Sequence, residues 1–153
     1  MCAALGRRVP DFSRPSAARS RNMYAIKAKH GKTTEWRLRG ALVARGVRGW
    51  IMNVGDLIGS PDFYFPELRL AVFVDGCFWH GCPNCGHIPK SNRGYWSQKL
   101  ARNRTRDRRI RRLLQRQGIR VLRFWECELR GSLSACTGRL TKILAKSWPL
   151  PSQ

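Results

Sequence analysis

At 153 residues, 42% of them hydrophobic, the chain is sized for one folded domain with a real core, which excludes a disordered polymer. Lys and Arg number 30 against nine Asp and Glu, a net charge of +21, so the expected partner is a polyanion, nucleic acid before an anionic membrane surface. No apolar run approaches the length of a bilayer-spanning helix.

Residues 1–15 read as a flexible basic arm with Pro10 and Pro15, better suited to ordering on DNA than to organelle targeting. Residues 16–150 read as one domain. A short helix is expected from Ala17 to Lys27, carrying Arg19, Arg21 and Met23, and Gly31 breaks it. Thr33 or Thr34 then caps a helix running to about Arg45, with Leu38 and Leu42 apolar and Gly46 as the stop. Glu35 falls in its first turn, where the helix dipole alone would account for an acid.

Gly49 to Val54 is expected as a strand, and Asp62 to Phe65 as a second one closed by a turn at residues 66–69. The apolar run Leu70 to Val74 follows as a buried strand. Antiparallel pairing across the short turn sets Asp62 at the start of one strand and Asp75 at the end of its neighbour. Two acids at one sheet edge are a candidate site for a divalent cation such as Mg²⁺, which takes carboxylate oxygens.

Directly after Asp75-Gly76 come Cys77, Phe78, Trp79, His80, Cys82 and Cys85, a mix that neither a core strand nor an ordinary loop requires. Tyr95 to Gln117 is the longest expected helix. Its inward stripe is Trp96, Leu100, Asn103, Asp107, Ile110 and Leu114. Asp107 is its one acid among eight arginines, and a buried acid needs a partner or a task. The arginines suit a phosphate-contacting face. Ile119 to Trp125 is expected as a strand interrupted by Arg120 and Arg123, with Cys127 just beyond it. A last helix, about Ser134 to Lys146, closes the core. The order fits an α/β or α+β domain with a small mixed sheet flanked by helices.

Cys77, Cys82, Cys85 and Cys127 together offer four thiolates, which suit a closed tetrahedral zinc site in a reducing compartment, the cytoplasm. His80 or His87 could stand in for one of them. The spacing is also that of a plant-type [2Fe–2S] ferredoxin. The charge of +21 and the aromatics inside the first loop argue against an electron carrier.

These residues closely resemble the very-short-patch-repair (Vsr) mismatch endonucleases. The resemblance is carried by Arg19-Ser20-Arg21-Asn22-Met23, Glu35, Pro61-Asp62-Phe63, Phe73 through His80, Asn103 with Asp107-Arg108-Arg109, and Trp125 through Gly131. It implies a restriction-endonuclease-like core of the PD-(D/E)xK type and a structural zinc. It also implies Mg²⁺-dependent nicking of one strand of double-stranded DNA beside a T·G mismatch, the product of 5-methylcytosine deamination. Carried onto this chain, Asp62 and the Val74 carbonyl would hold Mg²⁺ and His80 would be the general base. Glu35 and Asp107 would orient this machinery, and the four cysteines would bind zinc.

By the same resemblance Phe78, Trp79 and Trp96 would wedge into the base stack from the major groove and Met23 from the minor groove. Arg19, Arg21, Asn103 and Arg108 would contact DNA. A single asymmetric mismatch gives no reason for a dimer, so a monomer is expected, and mismatch-repair proteins are candidate further partners. Better-known members carry threonine where this chain has Val74 and histidine at Asp75. Cys82 stands where a histidine ligand is familiar, and Cys85 is displaced by one position. The extra carboxylate of Asp75 would tighten metal binding or raise a neighbouring pKa. A homing-type or restriction-type nuclease without mismatch preference, and a non-catalytic zinc-stabilised DNA-binding protein, are the rival readings.

Overall fold

The computed structural model describes residues 34–147. The expected basic arm, the helix over 17–27 with Arg19, Arg21 and Met23, and the cap at Thr33 lie outside the described residues. Within them, helix α1 (34–44) precedes β1 (Ile51–Met52), β2 (Phe63–Phe65) and β3 (Leu70–Asp75). Then come α2 (Cys77–His80), α3 (Arg93–Arg116), β4 (Arg120–Trp125), α4 (Glu126–Gly131) and α5 (Leu133–Ser147).

The sheet order is β1-β2-β3-β4. The first three strands run antiparallel as a meander, with Phe63 opposite Val72 and Phe65 opposite Leu70. β4 joins β3 in parallel, Leu70 opposite Arg120 through Asp75 opposite Trp125. A parallel neighbour requires a crossover, and α3 supplies it. The result is a small mixed sheet flanked by helices.

The two faces of β3 are both buried, which is why it reads as an unbroken apolar run. One face packs Val72 with Phe63, Phe65 and Phe124 against Leu38 and Leu42 of α1, and against Leu129 and Leu140 of α4 and α5. The other face sets Ala71 and Phe73 against Leu114 of α3 and Ile119. Because β3 and β4 run parallel and in register, residues 73, 75, 123 and 125 share this second face.

The boundaries depart from the sequence reading where local geometry intervenes. The strand expected over 49–54 shrinks to two residues, because Gly49 (φ 75°) and Asn53 (φ 53°) adopt left-handed backbone on either side. α3 begins at Arg93 rather than Tyr95, which leaves Trp96 in its first turn. Two short helices, α2 and α4, replace what reads as loop. A single helical turn is shorter than any apolar period, so the pattern cannot reveal it. α4 is started by Glu128, whose Oε2 accepts from the Trp125 backbone N–H at 2.8 Å.

Candidate active site and metal centre

The site forms at the C-terminal end of β3, where the start of β2, the helix α2 and the middle of α3 converge. Asp62 immediately precedes β2, and its Oδ2 accepts the Val74 backbone N–H at 2.6 Å. In an extended strand the N–H and C=O of one residue point toward the same neighbour, so the Val74 carbonyl also faces the Asp62 side. Glu35 reaches the Asp62 carboxyl from α1. Burial, with Glu35 and Asp75 close by, pushes Asp62 up to about 7 from the ordinary 3.8, against the pull of the Val74 N–H. A carboxyl so placed fits a cation, whose charge would offset both the burial and the repulsion.

Gly76 ends β3 in extended backbone and Gly81 ends α2 in left-handed backbone, φ 63°. A Cβ at Gly81 would also fall within 2.5 Å of the Arg104 guanidinium. α3 holds the end of this turn through its side chains. Asn103 Nδ2 donates to the Trp79 carbonyl at 2.8 Å, and Arg104 Nη2 donates to the Gly81 carbonyl at 3.1 Å. Thus Asn103, expected on DNA, here anchors the backbone beside His80.

His80 Nδ1 lies 2.6 Å from Asp107 Oδ2 and 3.8 Å from Asp75 Oδ1. Burial works against ionising Asp107, but the His80 hydrogen bond and the nearby Arg123 and Arg106 charges win and lower its pKa. An ionised carboxylate can only accept, so His80 Nδ1 carries a proton and donates it to Asp107, which leaves Nε2 as the nitrogen turned away from the acid. Asp75 is 3% exposed, and burial raises its pKa despite the opposing charges of Arg123 and His80. Both readings of Asp107 therefore meet in one place: it pairs with arginines and it holds the histidine. Asp75 faces Arg123 and His80 rather than standing free beside Asp62.

The Sγ atoms of Cys77, Cys82, Cys85 and Cys127 all lie within 4.8 Å of one another, with Cys82 and Cys127 at 3.7 Å. Tetrahedral thiolates bound at a zinc ion sit about 3.8 Å apart, so the cluster fits such an ion. Burial raises the Cys77 thiol, and it pushes Cys127 up to about 11. Burial opposes ionisation of Cys82 too, but the backbone N–H groups of Cys85 and Asn84 outweigh it and lower that thiol. The turn is closed by the Gly86 N–H donating to the Cys82 carbonyl at 2.9 Å. Neither alternative histidine joins this group: His80 is held by Asp107, and His87 leans on the Phe78 ring at 5.9 Å. Cys136 is buried elsewhere in the core.

Phe78, Trp79 and Trp96 form one aromatic cluster, with ring centroids 5.0 to 6.2 Å apart. Tyr95 extends it at 5.3 Å from Trp96. All three central rings are half-buried, so Trp96 belongs to neither main core face and stays within reach of a ligand. Arg108 is exposed, its Nη2 3.4 Å from Thr105 Oγ1. The residue the sequence reading passes over is Arg123, which reads there only as an interruption of β4. Its Nη1 lies 3.1 Å from Asp75 Oδ2 and 3.5 Å from Asp107 Oδ2.

A buried acid at a sheet edge, an acid-held histidine and a four-thiol cluster able to hold a metal ion, carried on a strongly cationic α/β chain, fit a hydrolase directed at nucleic acid. Comparison with known proteins narrows this class. The family model described as DNA mismatch endonuclease Vsr matches residues 11–86. A type II nicking enzyme, V.NaeI of Lentzea aerocolonigenes, is 45% identical over 117 residues, covering 74% of this chain and 70% of the relative. The type II nicking enzyme V.XorIIP of Xanthomonas oryzae pv. oryzae is 42% identical, covering 83% and 94%. The DNA mismatch endonuclease Vsr of Escherichia coli is 38% identical, covering 84% and 81%. The chain belongs to the Vsr endonuclease family, and is a DNA endonuclease. Among the described residues no helix is long and apolar enough to cross a membrane.

Proposed function

We propose that the chain is a Mg²⁺-dependent endonuclease that nicks one DNA strand beside a T·G mismatch left by deamination of 5-methylcytosine, and so begins very short patch repair. The observation that carries this reading is the convergence of Asp62, the Val74 carbonyl and the Asp107-held His80 at one end of β3. Asp62 and Val74 would hold the Mg²⁺, which when bound stabilises the charge developing on the scissile phosphate. Glu35 and Asp75 keep the electrostatics of that edge favourable to a cation. His80 Nε2 takes the proton of the attacking water, while Asp107 fixes the tautomer and steadies the imidazolium that forms. Cys77, Cys82, Cys85 and Cys127 would hold a zinc ion, which when bound would pin both ends of the segment that carries His80.

Phe78, Trp79 and Trp96, with Met23 from the opposite groove, enter the base stack. Unstacking costs about a few kcal/mol per step, and least where pairing is already imperfect, which favours a mismatch. Arg19, Arg21 and Arg108 serve the DNA surface, and Asn103 serves it through the Trp79 carbonyl that it anchors. Residues 16–150 act as one restriction-endonuclease-like domain of the PD-(D/E)xK type, and as a monomer, since a single asymmetric mismatch needs no two-fold enzyme. The place of action is the bacterial cytoplasm, with mismatch-repair proteins as collaborators.

The test is strand-specific cleavage of end-labelled duplexes carrying T·G or fully paired C·G in varied flanks, with Mg²⁺. A nick beside the T is expected, and Asp62→Ala and His80→Ala should each slow it by at least about 100-fold while leaving binding intact. Equal cutting of paired duplex would make the chain a nuclease without mismatch preference. Tight binding with no cutting would make it a DNA-binding protein that lacks the reaction.

A further inference from the structure

The mechanism above leaves Arg123 without a task, although this guanidinium lies against the carboxylates that surround the base. It stacks over the Phe73 ring at 4.9 Å, and its Nη1 reaches both Asp75 Oδ2 (3.1 Å) and Asp107 Oδ2 (3.5 Å). Those two acids are also the ones that face His80 Nδ1. The parallel register explains the meeting. Arg123 pairs with Phe73, so it rises from the same sheet face as Asp75 two residues further on. Asp107 descends on that face from α3.

Two carboxylates crowded around one imidazole repel each other, and the Arg123 guanidinium lies between them. Arg106 also approaches Asp107, but its side chain is 59% exposed, whereas that of Arg123 is 24% exposed and that of Asp75 only 4%. Asp75 Oδ2 and Arg123 Nε are buried without a hydrogen-bond partner among the described residues. The ion pair through Nη1 is therefore what offsets the burial of that oxygen. Without Arg123, Asp75 would be free to turn toward His80 Nδ1 and compete with Asp107 for it.

We propose that Arg123 is the positioning residue for His80. By pairing with Asp75 and Asp107 at once, it fixes both carboxylates around Nδ1 and keeps Nε2 aimed at the reacting water. The proposal rests on the role given to His80 above. Arg123 itself touches no reacting atom.

The experiment compares Arg123→Met, which keeps the apolar stem, with Arg123→Lys and with the double variant Asp75→Asn/Arg123→Met. Single-turnover nicking of a T·G duplex and DNA affinity are measured separately. Arg123→Met should slow the nick by about 10- to 100-fold with affinity unchanged, as loss of a group that orients a functional side chain does. Arg123→Lys should recover part of that loss. The double variant should regain the held His80 proton that Arg123→Met loses, because no unpaired Asp75 carboxylate is left to compete with Asp107 for Nδ1.

The second readout needs no turnover. ¹⁵N-histidine labelling resolves His80 among three histidines. Its Nδ1–H proton should be hydrogen-bonded and slow to exchange in the wild type and in Arg123→Lys, and lost in Arg123→Met. A wild-type nicking rate in Arg123→Met with the His80 signal intact would overturn the proposal, as would a loss confined to DNA affinity. If Arg123→Met does not fold, the lysine and double variants still decide the matter by the same two readouts. Wild-type protein that keeps the held proton but nicks no duplex would sink the proposed function and leave the Arg123 clamp standing.

Discussion

Asp62 carries a carboxyl that its surroundings disfavour in ionised form. Burial, reinforced by Glu35 and Asp75, raises it from 3.8 to about 7. Between these values the folded chain holds a proton that the unfolded chain has released. The contribution of this group to stability is thus full below 3.8 and is lost as pH rises toward 7. A cation bound at Asp62 must displace that proton. Mg²⁺ affinity, measured by titration calorimetry without DNA, should rise by about tenfold per pH unit up to 7 and level off above it, the slope of one displaced proton. A flat profile over that range would mean that Asp62 is already ionised, or that the cation binds elsewhere. The acids and the histidine were legible in the sequence because their chemistry travels with residue type. Arg123 was not, because one arginine among 30 basic residues acquires its meaning only from the register of two strands.

At the scale of elements, the site depends on α2, a single turn that could not stand alone. It is held at its start by Cys77 and just beyond its end by Cys82, and from the side by Asn103 and Arg104 of α3. Cys127 brings the fourth thiol from α4, and its backbone N–H donates to Cys77 Sγ at 3.3 Å. A metal held in the four-thiol cluster would therefore tie α4 to α2, and its removal should loosen the aromatic cluster and His80 together. Metal analysis is expected to find one zinc per chain in the parent and none in Cys127→Ser. The substitution should also lower the melting temperature by on the order of 10 °C, the equivalent of a few kcal/mol in a domain of this size. Tryptophan fluorescence, to which Trp79 and Trp96 contribute two of six indoles, should shift in the same transition. An unchanged melting curve and no bound metal in the parent would leave the thiols without a structural role. The spacing of the cysteines announced this cluster, whereas the two short helices that deliver it were invisible to periodicity. The strand order was legible in part. The meander follows from the short turn at residues 66–69, but the parallel docking of β4 on β3 rests on packing by α3 over a long sequence separation.

For the whole molecule, the excess of 30 basic over nine acidic residues sets the terms of association. α3 turns Leu100, Asp107 and Leu114 to the sheet and leaves its arginines exposed on the rest of its circumference. At 100° per residue, Arg104, Arg108 and Arg111 line one flank, and Arg102, Arg106 and Arg109 line the other. The first flank borders the site, because Arg104 reaches the Gly81 carbonyl at the end of α2. DNA that approaches His80 from the α2 side would pass along that flank. Each phosphate neutralised releases condensed counterions, so affinity should fall by about 10³- to 10⁵-fold between 50 and 200 mM salt if roughly six to ten phosphates are contacted. In anisotropy titrations across that range, Arg108→Gln should reduce the slope of log affinity against log salt by about one, whereas Arg109→Gln on the far flank should change it less. The nicking rate at saturating DNA should be the same in both variants, since neither arginine touches the carboxylates or His80. Equal slopes for the two variants would place the duplex across the crest of α3 rather than beside α2. His80 would then have to reach its water from the opposite side of the aromatic cluster.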